Sequence, residues 1–255
     1  MIIDSHAHLE DEKYDEDRED VIKRCKDELT LLINVGSSIE TSKKSIELAK
    51  SNEFIYAAVG IHPEHSQKEI NDIVVIEELL SQEKVVAIGE IGLDYYYGDP
   101  PVEYQKQCFI EQIRLAKKYN LPIVIHDRDA HGDVLDIIKK EWTSSLRGVF
   151  HSYSGSSEMA FQLLEMNFYV SLGGPVTFKN AKKAVDVAMK IPIEKLLIET
   201  DSPYLTPVPF RGKRNEPINV KYVAKKIAEI KNMDYDDVCS ITASNALKLF
   251  NITFK

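Results

Sequence analysis

The sequence predicts an α/β fold, a parallel eight-stranded barrel with outer helices, known as the (β/α)8 or TIM barrel. Short apolar runs alternate with amphipathic runs along the whole chain. Many of the short runs are rich in Val and Ile without polar alternation, as in strands buried on both faces. The length of 255 residues is typical of this barrel. A repeated unit of strand, loop and helix therefore predicts one closed sheet with a ring of helices around it.

Eight apolar runs are the predicted strands. They lie at 2–4, 31–35, 55–60, 85–90, 123–126, 148–151, 169–172 and 196–200. The amphipathic runs predict helices at 18–29, 40–51, 71–81, 101–119, 131–141, 157–166, 180–190, 218–231 and 235–250. Pro101 suits a first helical turn, Ser157 is the expected cap of its helix, and Pro192 is expected to end the helix before it. The sequence contains no internal repeat or linker, which predicts a single domain over residues 1–255.

The alternative architecture is an open, doubly wound sheet. Such sheets usually carry a glycine-rich phosphate loop after the first strand. Here the first strand runs into Asp4-Ser5-His6-Ala7-His8, which contains no glycine. The barrel is therefore the favoured prediction.

Composition limits the function classes. The net charge of −9 argues against a general nucleic-acid coat protein, although it allows an enzyme with a local basic groove. The stretch 10–20 concentrates acidic residues and is expected to be solvated. No apolar stretch approaches the ~20 residues that a membrane helix needs, and the N-terminus lacks a signal region, so we expect a cytoplasmic protein without a membrane partner. Three widely spaced cysteines predict neither a disulfide framework nor a thiolate metal site.

Histidines and carboxylates follow the predicted strands. Five of the seven histidines lie at or just past the end of an apolar run, and two carboxylates end similar runs. In a parallel barrel the carboxyl ends of the strands converge on one face, which carries the active site. Imidazoles and carboxylates that meet there predict a metal site. These residues are His6, His8, His62, Glu90, His126, His151 and Asp201.

Two ligand sets are expected within this group. His6 and His8 are two residues apart in an extended segment and therefore point the same way, as a chelate does. Glu90 ends the fourth strand, where a buried carboxylate is costly unless it is paired or bound to metal, and its two oxygens can bridge two ions. His126 and His151 end adjacent strands and face Glu90 as a second set.

Asp201 ends the eighth strand, which neighbours the first strand once the barrel closes. We expect it near His6 and His8, where three roles are open: metal ligand, orientation of the attacking water, or general base. Glu199 should point to the other side of that strand and have a supporting role. His62 can be a ligand, a substrate contact or a structural residue, and a substrate contact is favoured.

The loop after the eighth strand is basic. It reads Pro209-Phe210-Arg211-Gly212-Lys213-Arg214-Asn215-Glu216-Pro217. Loops after strands 7 and 8 often hold phosphate in this architecture, and the guanidinium of Arg211 matches phosphate oxygens. Arg128 after strand 5 and Lys179 after strand 7 can add positive charge at the same rim. Beside a two-metal site, this predicts phosphate binding.

Together these motifs resemble the TatD family of metal-dependent deoxyribonucleases, within the amidohydrolase-like barrels. The matching stretches run in the family's order from residue 4 to residue 217. They are 4–9, 60–63, 89–96, 125–128, 150–155, 199–205 and 211–217.

The resemblance implies a divalent-metal-dependent nuclease that trims DNA, commonly from 3′ to 5′. It implies that His6, His8, Glu90 and Asp201 hold one ion and that Glu90, His126 and His151 hold a second. It also implies that His62, Arg128 and the Arg211 loop face the DNA. Our hypothesis for the mechanism is two-metal phosphodiester hydrolysis, in which two ions share Glu90 and Asp201 orients the attacking water and takes its proton, so that Asp201 and Glu90 are the predicted catalytic residues. Single strands or 3′ ends are the expected substrate, and a monomer is the favoured oligomeric state.

The identity of the metal and the substrate stay open at this point. Imidazole ligands suit Zn²⁺, Mn²⁺, Co²⁺ or Ni²⁺ better than Mg²⁺, whereas the resemblance implies Mg²⁺ as the working ion. The main competing function is a small-molecule hydrolase on the same barrel, acting on an amide, lactone or phosphate ester. A non-catalytic binding protein is disfavoured because a scaffold has no need of costly polar groups in its mouth.

Overall fold

Eight parallel strands, hydrogen-bonded in the order β1 to β8, form the barrel in the computed structural model, which describes residues 1–253. The predicted fold class is confirmed. The strands are β1 (Ile3–Ala7), β2 (Leu31–Val35), β3 (Ile55–Val59), β4 (Val85–Asp94), β5 (Ile123–Arg128), β6 (Gly148–Phe150), β7 (Phe168–Leu172) and β8 (Leu196–Ile198).

Helices surround the strands. They are α1 (Arg18–Glu28), α2 (Ile39–Ser51), α3 (Ser66–Glu69), α4 (Ile73–Leu79), α5 (Val102–Tyr119), α6 (His131–Glu141), α7 (Ser157–Glu165), α8 (Lys182–Lys190), α9 (Val220–Lys231) and α10 (Tyr235–Phe250). Short 3-10 helices lie at Glu12–Tyr14, Pro63–His65, Ile70–Asp72, Gly174–Thr177, Ile193–Lys195 and Pro217–Asn219. Among the residues described, no helix has the length and apolar character needed to cross a membrane.

The barrel closes between β1 and the segment that follows β8. The backbone N–H of His8 donates to the Ser202 carbonyl at 2.8 Å, and the N–H of Asp201 donates to the His6 carbonyl at 2.9 Å. The side chain of Asp4 accepts from the backbone N–H of Thr200 at 2.9 Å and from its hydroxyl at 2.6 Å. These bonds bring the first and last candidate site segments side by side.

The barrel interior is filled by alternate residues of the strands. In β2, Leu31, Ile33 and Val35 belong to the inner apolar cluster, whereas Leu32 belongs to the outer cluster between sheet and helices. The C-terminal half of α10 packs into the inner cluster through residues such as Leu249 and Phe250. Because this helix covers the barrel at the end where the strands begin, the opposite end remains available for polar side chains.

Two local predictions were wrong. β4 continues to Asp94, four residues beyond the predicted end, because after a register shift between Ile88 and Ile91 it pairs along β5 as far as Arg128. The N-cap of α7 is Ser156, whose side chain accepts from the Met159 N–H at 3.2 Å, and Ser157 is the first helical residue.

Candidate metal centre

The six predicted metal ligands meet at the carboxyl end of the barrel. Three-residue groups with ligand atoms within 4.8 Å of one another include His6 with His8 and Glu90, and Glu90 with His126 and His151. Asp201 joins the first group, with Oδ1 3.4 Å from His8 Nε2 and 3.7 Å from His6 Nε2.

Glu90 stands between two groups of imidazoles. Its Oε2 lies 3.7 Å from His6 Nε2 and 3.6 Å from His8 Nε2. Its Oε1 lies 2.7 Å from both His126 Nδ1 and His151 Nε2. Each oxygen thus faces a separate set of nitrogens, so one carboxylate contributes a ligand atom to both groups.

The hydrogen bonds of His8 leave a lone pair directed into the first group. Its Nδ1 lies 2.7 Å from the carbonyl oxygen of Val35, an acceptor, so Nδ1 carries the proton. In the neutral ring Nε2 is then an acceptor. Burial lowers the pKa of His8, but the hydrogen bonds with Asp201 and Glu10 raise it well above its usual range, so a proton or a cation is favoured at Nε2. This Nε2 lies 3.0 Å from His6 Nε2 and also faces two carboxylates. A cation among these atoms would satisfy all of them together.

The second group shows the same arrangement. Asp94 Oδ2 lies 2.9 Å from His126 Nε2, which makes Nε2 the proton-bearing nitrogen. In the neutral His126 ring, Nδ1 is then an acceptor that faces Glu90 Oε1 and lies 3.2 Å from His151 Nε2. Burial lowers the pKa of His126, but its hydrogen bonds with Asp94 and Glu90 raise it above its usual range, so a proton or a cation is favoured at Nδ1. Acceptors directed at one another fit a metal site in which a carboxylate orients the histidine. The residues present therefore fit a divalent ion in each group.

His62 is buried beside the metal centre and does not lie at the mouth of the cavity. Its Nε2 is 3.6 Å from Glu90 Oε1, and its ring centroid is 4.3 Å from that of His126. Nδ1 accepts from the backbone N–H of Glu64 at 3.2 Å, so Nε2 carries the proton and faces the site. Burial and the charge of His126 lower the pKa of His62 to about 3. It is a neutral hydrogen-bond donor at neutral pH.

The two predicted arginines occupy different places. Arg128 lines the cavity above the metal centre, and its guanidinium carbon lies 3.8 Å from the centroid of the Tyr96 ring. Arg211 lies 4.0 Å above the ring of Phe178, which lines the same cavity. Arg214, in the same basic loop, is held by Asp17 through two hydrogen bonds of 2.6 Å. Only part of the basic loop is therefore free to face a ligand.

Comparison with known proteins identifies the family. The family model described as TatD related DNase matches residues 3–251. The chain belongs to the TatD family.

Relatives of known sequence and structure agree with this assignment. The metal-dependent hydrolase YabD of Bacillus subtilis is 51% identical over 99% of this chain and 100% of its own length. YcfH of Escherichia coli K12, also a metal-dependent hydrolase, is 35% identical over 99% of this chain and 96% of its own. The crystal structure of YjjV, a TatD homologue from E. coli K12, superposes with a TM-score of 0.93 at 30% identity and covers 99% of this chain and 98% of its own. This TatD-family protein is therefore a metal-dependent hydrolase.

The charges of this TatD-family site favour a bound cation. Burial acts to raise the pKa of Glu90, but the charge of His151 and the hydrogen bonds from His126 and His151 hold it well below its usual range. Burial likewise opposes ionisation of Asp201, yet the His8 hydrogen bond lowers its pKa. In the described part of the chain, neither carboxylate pairs with a lysine or arginine.

Three further carboxylates support the site. Asp94 orients His126 and was not predicted, although it follows Glu90 by four residues and so lies on the same side of an extended strand. Glu199, predicted to support the site, is fully buried, accepts from the Ser152 N–H at 2.6 Å and lies 3.5 Å from His151 Nδ1. Glu10, expected in a solvated stretch, is instead buried 3.4 Å from His8 Nδ1 and accepts from Asn34.

Proposed function

We propose that this TatD-family protein is a divalent-metal-dependent deoxyribonuclease that removes nucleotides from the 3′ ends of DNA strands. The bridging position of Glu90 between two ligand groups carries this proposal. When bound, the ions would supply Lewis acidity to the phosphate and lower the pKa of the attacking water. His6, His8, Asp201 and Oε2 of Glu90 would hold one ion, and His126, His151 and Oε1 of Glu90 would hold the other.

Asp201 is the proposed proton acceptor. Its lowered pKa keeps the side chain a carboxylate at neutral pH despite its buried surroundings. Because its Oδ1 faces His6 and His8 at the edge of the first group, it can orient a water molecule there and take its proton. Its N–H is tied to the His6 carbonyl, which fixes the carboxylate relative to the ligands.

Positive charge collects on one side of the cavity. Arg128 at the end of β5 and Lys182 and Lys183 at the start of α8 line it, and Arg211 lies behind Phe178. The lining residues that follow β1 and β3 include the acidic residues Glu10, Asp11 and Glu64, and Asp127 and Asp129 line the cavity beside Arg128. A phosphate backbone would therefore approach over β5 to β8, where Arg128 faces its oxygens, while the neutral donor His62 reaches the metal centre from the end of β3.

The size of the cavity supports a polymeric substrate. Its volume is about 1030 Å³, at the upper limit for pockets that enclose small ligands. The competing hypothesis, a small-molecule hydrolase on the same barrel, requires neither this volume nor the cations at its rim. The net charge of −9 would repel long duplexes away from the site, which fits local processing of ends with strong salt dependence.

The deciding experiment removes the metal and restores Mg²⁺, Mn²⁺ or Zn²⁺ separately. The purified protein is incubated with 3′-labelled or 5′-labelled single-stranded DNA, beside a Glu90→Ala variant and a Glu83→Ala control on the protein surface. Metal-restored shortening from the 3′ end, absent in Glu90→Ala and retained in Glu83→Ala, is expected. A protein that binds two ions and cleaves no strand with any of these metals would overturn the nuclease and favour the small-molecule hydrolase.

A further inference from the structure

Two pairs of an arginine and an aromatic residue flank the metal centre. In the first pair, the Arg128 guanidinium carbon lies 3.8 Å from the Tyr96 ring centroid and 5.2 Å from that of Tyr97. In the second, Arg211 lies 4.0 Å from the centroid of Phe178. Tyr97, Arg128 and Phe178 all line the cavity that contains Glu90.

The pairs lie on opposite sides of the cavity. Tyr96 and Tyr97 follow β4, whereas Arg211 follows β8, and these strands face each other in a barrel whose strands follow one another in chain order. Phe178 follows β7, beside β8. A DNA strand that crosses the mouth of the barrel from the Arg128 pair to the Arg211 pair therefore passes over the ligand groups and the lysines at the start of α8.

The tyrosine pair is exposed and yet held in place. Tyr96 is 58% exposed and Tyr97 63% exposed, and their rings meet edge to face with centroids 4.8 Å apart. The N–H of Tyr96 donates to Asp94 Oδ1 at 2.9 Å, so the loop is tied to the carboxylate that orients His126. Gln105 holds the same loop by accepting from the Asp94 N–H and donating to the Pro100 carbonyl.

The Phe178 side is held by contacts between two loops. The N–H of Phe178 donates to the Pro175 carbonyl at 3.0 Å, and the Val208 N–H donates to the Thr177 hydroxyl at 2.9 Å. These bonds join the loop after β7 to the loop after β8, which carries Arg211. The Phe178 ring and the Arg211 guanidinium above it are therefore held in a fixed position relative to each other.

We propose that these two pairs are stacking platforms for the bases on either side of the bond that is cleaved. This inference rests on the proposed nuclease function and assigns its substrate as a single DNA strand with unpaired bases. Aromatic rings and guanidinium groups stack on any base without sequence preference, whereas bases already paired and stacked in a duplex are not available to them. Tyr96, Tyr97 and Phe178 would thus determine the preference for single strands, while the metal ligands perform the chemistry.

Variants test the platforms through substrate preference. The double variant Tyr96→Ala/Tyr97→Ala and the variant Phe178→Ala are compared with Tyr119→Ala and Phe161→Ala, exposed aromatic residues on α5 and α7 that do not line the cavity. The measured quantity is kcat/KM for a 5′-labelled single strand relative to a small chromogenic phosphodiester without neighbouring bases. We expect this ratio to fall by about 5- to 100-fold for each platform, mainly through KM, and to stay constant in the controls. The conservative double variant Tyr96→Phe/Tyr97→Phe should have the same ratio as the wild type.

A substrate series provides a test with the unaltered protein. Strands that carry one abasic residue at each of the last four positions are compared with the intact strand, and KM should rise at the positions next to the cleaved bond. If the wild type trims DNA while both platform variants and all abasic strands match their controls, the platforms are refuted and the nuclease stands. If the wild type cleaves no strand, the nuclease itself fails, and the platforms fail with it.

Discussion

Oδ2 of Asp94 lies 2.9 Å from Nε2 of His126, on the side of the imidazole ring away from Glu90. Close contact between β4 and β5 makes this possible, since Gly92 pairs with His126 and Asp94 with Arg128. A Cβ atom at position 92 would lie 1.9 Å from the His126 carbonyl oxygen, so only glycine permits this approach. The glycine thus places a carboxylate where it determines which nitrogen of His126 is free to bind metal.

Asp94→Asn should weaken metal binding while leaving the fold intact. The amide can still accept from the Tyr96 N–H through its oxygen, and its NH2 group then faces His126 Nε2. This favours the tautomer with the proton on Nδ1, the nitrogen that faces Glu90. Replacing a carboxylate that orients a metal-binding histidine typically costs 10- to 100-fold in affinity or activity. Titration calorimetry with Mn²⁺ is the measurement, and Asp99→Asn in the same loop is the control. If the two variants bind Mn²⁺ with equal affinity, Asp94 does not contribute to metal binding.

The sequence predicts the barrel and six converging side chains because both depend on periodic patterns. Apolar runs mark the strands, and a residue that directly follows such a run lies at the carboxyl end of the barrel. Asp94 was missed because the prediction ended β4 at Glu90, and the extension depends on a register shift against β5 that no local pattern shows. Glu10 was placed in solvent because neighbouring acidic residues are exposed, whereas its burial depends on Asn34, a residue of β2.

Asp201→Asn should still bind single-stranded DNA but lose most turnover. The amide keeps the size of the side chain but cannot take a proton from water, and positioned general bases contribute typically 10²- to 10⁴-fold to rate. We expect kcat to fall within that range while KM changes little. Steady-state kinetics on a 5′-labelled single strand is the measurement, with metal content measured in parallel to separate loss of a ligand from loss of a base. Near-normal turnover would exclude Asp201 from proton transfer.

Thr200→Val should destabilise the closure of the barrel. The Thr200 hydroxyl donates to Asp4 Oδ2 at 2.6 Å and accepts from the Ser202 N–H at 3.2 Å, and all three residues are buried. Valine leaves both partners unsatisfied, which costs about 2–4 kcal/mol in the free energy of unfolding. For a chain of this size that lowers Tm by roughly 5–15 °C.

Thr200→Ser is the matched variant for this measurement because it keeps the hydroxyl and removes only a methyl group. Thermal unfolding of both variants, with metal removed by a chelator, isolates the hydrogen bonds from any effect on metal binding. The serine variant should lie much closer to the wild type than the valine variant. If the two variants unfold at the same temperature, the hydrogen bonds between Asp4 and Thr200 do not stabilise the closure.

Replacing Arg211 and replacing Arg214 should affect the binding of single-stranded DNA differently, although the two residues lie three positions apart in one basic loop. Arg214 is bound by both carboxylate oxygens of Asp17, whose hydrogen bonds raise the pKa of the guanidinium, and its charge is already compensated. Arg211 is exposed above Phe178 and is the guanidinium available to a phosphate. For a single strand, each phosphate contact contributes about 0.7 to the slope of log K against log salt concentration. Arg211→Gln should therefore reduce the magnitude of the slope by about 0.7, and Arg214→Gln should leave it unchanged. Fluorescence anisotropy with a labelled strand at four salt concentrations measures both slopes, and identical slopes for the two variants would rule out a phosphate contact at Arg211.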